Sequence, residues 1–189
     1  MTHLAVWMAN YLTGVRGEQT AVLEWNCHGD VARMGKFCGN ERAPKDRAAR
    51  REHAPDDAAL RRRVRILGVD YYGDAGAGEL AFCLNGTDYR HIIVDYGEIT
   101  GESILECARC DRKVIVGALS EWQAEAFLEE VKGHGKRDES WSYAAAFGSE
   151  ETRRLVEKMF SVTCLRIPAS EDAFAVTGAD MRFFEKLLG

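Results

Sequence analysis

Apolar residues recur along the chain at two periods, near 3.6 and near 2, and their alternation sets the expected order of elements. Leu4, Met8, Tyr11, Leu12 and Val15 fall at helical spacing, with Thr2 placed to cap the start and Gly14 and Gly17 marking the end. The run Thr20-Ala-Val-Leu-Glu-Trp25 predicts a short strand, framed by polar residues on both sides. From Asp30 to about Arg63 apolar residues thin out, which predicts a surface insertion over about 31–63. Val64 to Asp70 predicts a strand, Gly73 to Gly78 a glycine-rich turn and Glu79 to Leu84 a short helix. His91-Ile-Ile-Val-Asp-Tyr-Gly97 predicts a strand buried on both faces, with Asp95 at its carboxyl end. Beyond it come a helical turn over Ile104–Cys110, a second buried strand over Lys113–Leu119 and an amphipathic helix over Glu121–Val131. A strand over Ser140–Phe147, a helix over Glu150–Phe160, a strand over Thr163–Ile167 stopped by Pro168, and a final helix over Ala179–Leu188 complete the series.

Strands alternating with helices predict an α/β fold of three layers, a mostly parallel sheet with helices on both faces. Ligands of such sheets gather at the carboxyl ends of the strands, here marked by Asn26, Asp95, Leu119 and Pro168. A length of 189 residues predicts one domain, residues 1–189. The 46% hydrophobic and 29% charged composition excludes a disordered chain. No apolar run approaches the roughly 20 residues of a membrane span, and no basic-then-apolar leader opens the sequence, so the expected location is the cytoplasm.

A net charge of -5 argues against nucleic acid as an obligate partner, although basic residues gather between Arg33 and Arg65. Arg61, Arg62 and Arg63 are candidates for weak contact with DNA or an acidic membrane surface; the interleaved Glu41, Asp46, Glu52, Asp56 and Asp57 favour a solvated helical insertion instead. The six cysteines suit reduced thiols. Cys107-Ala-Arg-Cys110 is a C-x-x-C to which Cys27, His28 and Cys38 offer further zinc ligands, but a structural zinc site usually uses two close pairs and the second is spread here. Trp7, Trp122 and Trp141 read as core or interface aromatics, Trp122 being the one placed at a strand's carboxyl edge to shape a ligand or partner surface.

In their order and spacing these segments resemble the bacterial MinD/ParA branch of P-loop ATPases. Thr2-His-Leu-Ala-Val-Trp-Met-Ala-Asn-Tyr-Leu12 resembles the helix after that family's glycine-rich loop, with Thr2 at the magnesium-binding hydroxyl position. Val22-Leu-Glu-Trp-Asn-Cys-His-Gly-Asp30 is similar to the L-x-D-x-D-x-x-G stretch, with Glu24 and Asn26 at the acidic positions. Thr87-Asp-Tyr-Arg-His-Ile-Ile-Val-Asp95 resembles the strand that ends in the Walker B carboxylate, and Asp95 stands at that carboxylate. Cys110-Asp-Arg-Lys-Val-Ile-Val-Gly117 resembles the strand that follows, and Ile167-Pro-Ala-Ser-Glu-Asp172 the loop that borders the adenine, through Pro168 and Ala169.

The resemblance implies a P-loop NTPase-like sheet whose first strand is missing from this sequence, together with the phosphate-binding loop and its lysine. Two explanations stay open. A strand and loop lie upstream of Met1, as the cost of an uncovered apolar gap (~1.5 to 3 kcal/mol per side chain) favours, or the chain holds no triphosphate. ATP with Mg2+ held through Thr2 and Asp95 is the implied cofactor in the first case, and none in the second. The resemblance further implies a homodimer with a protein partner. Asn26, at the water-positioning site, aligns water without accepting its proton, and Glu24 is one methylene longer than the aspartate it replaces. The function expected is a nucleotide-binding switch or positioning scaffold with weak or no hydrolysis. Its alternative is a non-catalytic interaction module of the same fold without nucleotide.

Overall fold

The computed structural model describes residues 2–38, 63–98, 103–120, 122–133 and 140–189. Most of the basic segment, including Arg61 and Arg62, lies outside the described residues. The chain divides into two compact units, one of Met1–Ile99 with Asp172–Val176, the other of Thr100–Glu171 with Thr177–Gly189.

The first unit is built on β1 (Thr20–Glu24), β2 (Arg63–Ile66), β3 (Val69–Tyr72) and β4 (His91–Asp95), in the order β2-β3-β1-β4. β1 runs parallel to both β3 and β4, and every one of its residues is buried. Its alternate side chains feed two cores, as a strand's period of 2 requires. Val22 packs with Ala5, Val6 and Ala9 of α1 (Thr2–Asn10), Val31 of α2 (Asp30–Phe37), and Val69 and Tyr71. Ala21 and Leu23 face Tyr72 and Cys83, the latter on α3 (Ala77–Asn85). Helices therefore cover both faces of this sheet. α1 continues into a π-helical turn at Tyr11–Val15 and is tied down by Trp7, whose indole N–H donates to Ala175 O at 3.0 Å.

The stretch from Val64 to Asp70 is not one strand. Leu67 (φ 48°) and Gly68 (φ 83°) both take left-handed backbone, and β2 and β3 pair antiparallel from Ile66↔Val69 outward. Two consecutive positive φ values make the tight two-residue turn whose twist suits a hairpin, which the apolar pattern alone does not reveal.

The second unit carries β5 (Lys113–Leu119), β6 (Trp141–Gly148) and β7 (Cys164–Arg166), all parallel in the order β5-β6-β7, with α4 (Ser103–Ala108), α5 (Ala124–Gly133), α6 (Glu150–Phe160) and α7 (Gly178–Leu188). Gly117 is required on β5 because Phe127 of α5 lies directly where its Cβ would stand, and the Phe127 ring meets Tyr143 edge-on at 6.3 Å. Ser149 caps α6, its hydroxyl accepting from Thr152 N at 3.0 Å.

β4 packs Ile93 against one core and Ile92 and Val94 against the other, and β4 and β5 are half-buried, each being paired along one side only among the described residues. Each unit has the expected α/β character, its strands parallel except for β2, the one antiparallel strand among the described residues.

Candidate functional site

Glu24 and Asp95 are register partners at the carboxyl ends of β1 and β4, 2% and 5% exposed respectively. Parallel pairing puts both strand ends at the same edge, and α1 begins there. The Thr2 hydroxyl lies 2.8 Å from Asp95 Oδ2 and 2.9 Å from Asp30 Oδ2. The other Asp95 oxygen accepts from Gly97 N at 3.0 Å. Thr2, Glu24, Asn26 and Asp95 are thus brought to one edge.

Their hydrogen-bond partners define what each does. The Asn26 amide nitrogen donates to Asp95 O at 2.9 Å, beside the Trp25 N–H that reaches the same carbonyl, and its oxygen accepts from His28 N at 3.0 Å. Both ends of that amide are occupied in fixing the β1–β4 edge. Glu24 is equally engaged: Oε1 accepts from Asp30 N at 2.5 Å and Oε2 from Val31 N at 3.4 Å. α2 starts after Gly29, which has φ 71° and no side chain to cap with, so Glu24 supplies the missing acceptor and its charge suits the positive helix end. Gly97 (φ 64°) closes the loop after β4 so tightly that a Cβ there would stand 3.1 Å from Asn26 Cβ. The Tyr96 ring lies 5.6 Å from that of Trp25.

Asp30 is the residue that the pattern of the sequence did not single out. It opens α2, binds Thr2 through Oδ2 and pairs with Arg33 through Oδ1 at 2.7 Å. Its one visible signal is an acid following a glycine at a helix start. Beside it lies a pocket of about 410 Å³ lined on the polar side by Thr2 and Asp30, and on the apolar side by Val6, Met34, Phe37 and Phe174.

Other candidates lie elsewhere. Pro168 and Ala169 follow β7 in the second unit, half-buried and exposed respectively. Arg63 turns its guanidinium to Asp70, 3.7 Å from Oδ1, and is largely covered. Cys27 and Cys38 are exposed, Cys110 is intermediate, and Cys83, Cys107 and Cys164 are buried. Among the described residues no group of three or more His, Cys, Asp or Glu side chains is arranged to hold a metal ion. Burial pushes the Cys83 and Cys164 thiols up to about 11, so they stay protonated at neutral pH. Trp122 is 81% exposed just ahead of α5.

Neither a protein-family model nor a curated protein matches the chain in sequence. Solved structures do match in fold. MinD in the MinC:MinD cell division protein complex of Aquifex aeolicus superposes with a TM-score of 0.55 at 14% identity, over 90% of this chain and 76% of that one. A ParA family ATPase from Chlorobium tepidum TLS gives 0.52 at 14% identity, over 89% and 79%. Taken with the parallel strands ending at Glu24 and Asp95 and the helices that flank them, these likenesses show that the chain has the α/β fold of the MinD and ParA-family P-loop ATPases.

Proposed function

We propose that this chain is a nucleotide-binding switch or positioning scaffold that binds Mg2+-nucleotide at the carboxyl edge of β1 and β4 and hydrolyses it slowly or not at all. The observation that carries the proposal is the Thr2 hydroxyl 2.8 Å from the buried carboxylate of Asp95. The oxygens fit a hard cation. One hydroxyl proton faces two carboxylate oxygens, so the cluster holds more acceptors than donors, the kind of oxygen set that Mg2+ takes with its remaining waters and a phosphate. Mg2+ would neutralise phosphate charge there, with Thr2 and Asp95 as its protein-side partners. The 189 residues contain no G-x-x-x-x-G-K-[ST] run, so the proposal places the ion, and not the phosphate cradle, on the residues in hand.

Slow turnover follows from the two residues nearest the site. A water needs a free acceptor to align and deprotonate it. Both polar atoms of Asn26 are bonded to backbone, and both oxygens of Glu24 face the first amides of α2. A homodimer acting on a protein partner in a bacterial cytoplasm completes the proposal; no helix of the described residues is long and apolar enough to cross a membrane.

Equilibrium titration with a fluorescent ATP analogue tests it. Mg2+-dependent binding, weakened about tenfold or more by Asp95→Asn or Thr2→Val, is the expected result. Binding indifferent to Mg2+ and to both substitutions would remove the proposal, and multiple-turnover phosphate release would remove its slow-hydrolysis half. The second reading, an interaction module without nucleotide, has one observation in its favour: Phe37 stands 89% exposed at the apolar side of the pocket. Absence of nucleotide binding together with a stable complex lost on Phe37→Ser would select it.

A further inference from the structure

α2 is held at its start by three side-chain bonds, and one of them draws on the Thr2 hydroxyl of the proposed ion site. Glu24 takes the Asp30 and Val31 amides, while the Asp30 carboxylate reaches the Thr2 hydroxyl. That same hydroxyl lies at nearly equal distance from Asp95, 2.8 Å against 2.9 Å. A hydroxyl carries one proton, so it serves one carboxylate at a time, and the contact left without it sets lone pair against lone pair. Arg33 steadies Asp30 from the other side, 2.7 Å from Oδ1, whereas Asp95 has the Gly97 amide.

We infer that Asp30 is a positioning residue through which occupancy at Thr2 and Asp95 acts on α2. This rests on the nucleotide reading above. A cation held by the Thr2 oxygen and Asp95 would occupy the lone pairs that these two oxygens turn to each other, and the hydroxyl proton would be left to Asp30. Asp30 would then have that proton undivided, and the start of α2 would be held more firmly, by Thr2 together with Glu24 and Arg33. The consequence is felt along the helix. Asp30, Arg33, Met34 and Phe37 follow one another at i, i+3, i+4 and i+7, and this single face of α2 lines the 410 Å³ pocket from Thr2 outward to the exposed Phe37. A change at Asp30 therefore alters the pocket wall, and the proposed ion site and the exposed Phe37 are joined by one helix.

Amide hydrogen exchange of residues 31–38 in the full chain, with MnCl2 and ATP as the probe and Mn2+ binding followed by electron paramagnetic resonance, tests this. Without ligand, Thr2→Val accelerates exchange in α2 about tenfold, the worth of one charge-assisted hydrogen bond, while Thr2→Ser restores the wild-type rate. Mn·ATP moves wild-type α2 away from the Thr2→Val rate, toward slower exchange, and Asp30→Ala exchanges fast from the outset with no further response. Unchanged exchange in Thr2→Val overturns the inference. So does Mn·ATP that binds while wild-type α2 stays unmoved, an outcome that leaves the nucleotide reading standing. If Mn·ATP does not bind although Thr2→Val loosens α2, the nucleotide reading fails and the contact is structural only, which overturns the inference as well.

Discussion

Glu24 and Asn26 stand two places apart at the end of β1, and the spacing that draws attention to them says nothing of what their polar atoms face. The structure gives Glu24 to the amides of α2 and Asn26 to the backbone of β4 and His28. Replacing Glu24 by alanine strips a buried acceptor from two amides and is expected to cost about 2–3 kcal/mol in urea unfolding, with Glu24→Gln costing roughly half as much because one acceptor remains. Asn26→Asp restores the acid of the ATPase pattern but loses the amide that donates to Asp95 O and sets a carboxylate against that carbonyl. A loss of about 1–2 kcal/mol with no gain in phosphate release is the expected outcome. The residue types at this edge were legible in the sequence. Their hydrogen-bond partners were not, because these are the first amides of α2 and the Asp95 carbonyl of β4, the latter 69 residues from Asn26. Asp30 escaped notice for the same reason, since its partner Thr2 lies 28 residues away.

At the scale of elements, helices and parallel strands were read correctly where apolar spacing is long and regular, and the β2–β3 hairpin was missed where two backbone angles decide. Leu67 is 64% exposed and held at φ 48°, a left-handed conformation that costs a leucine about 1–2 kcal/mol and costs asparagine less. Leu67→Asn is therefore expected to raise stability by roughly 0.5–1 kcal/mol, read as a higher thermal midpoint, whereas a lower midpoint would show that the leucine side chain packs to advantage. α6 offers a test by pH. Hydrogen bonding to Arg153 brings Glu150 down to about 2 from an ordinary 4.5. A carboxyl whose folded pKa is depressed stabilises above its unfolded value and loses that contribution as pH falls through the folded one. Unfolding midpoints measured between pH 5 and pH 2 should fall more steeply for the native chain than for Glu150→Gln. Because Glu150 is exposed, the difference should shrink in high salt.

At the scale of the whole molecule, alternating periods sufficed to indicate an α/β fold with helices on both faces, but not the path by which the chain serves two compact units. Asp172–Val176 belong with the first unit while the residues on either side belong with the second, so the chain passes between units at 99/100, 171/172 and 176/177. What recruits these five residues is chemical: Ala175 O accepts the indole N–H of Trp7, and Ala173 O lies 3.4 Å from the buried Asn10 amide. Both anchors are on α1, and Trp7 is 0% exposed. A long apolar run would have announced a strand here, but a five-residue segment held by its carbonyls leaves no periodic trace. Trp7→Phe keeps a buried ring while removing the N–H, leaving Ala175 O without that donor and a small void beside it. A loss of about 2–3 kcal/mol is expected. If the tryptophan acts through the segment and not only through core volume, limited proteolysis should cut first between residues 172 and 176 in the variant, whereas Leu23→Ala, in the cluster on the other face of β1, should leave that segment protected until global unfolding.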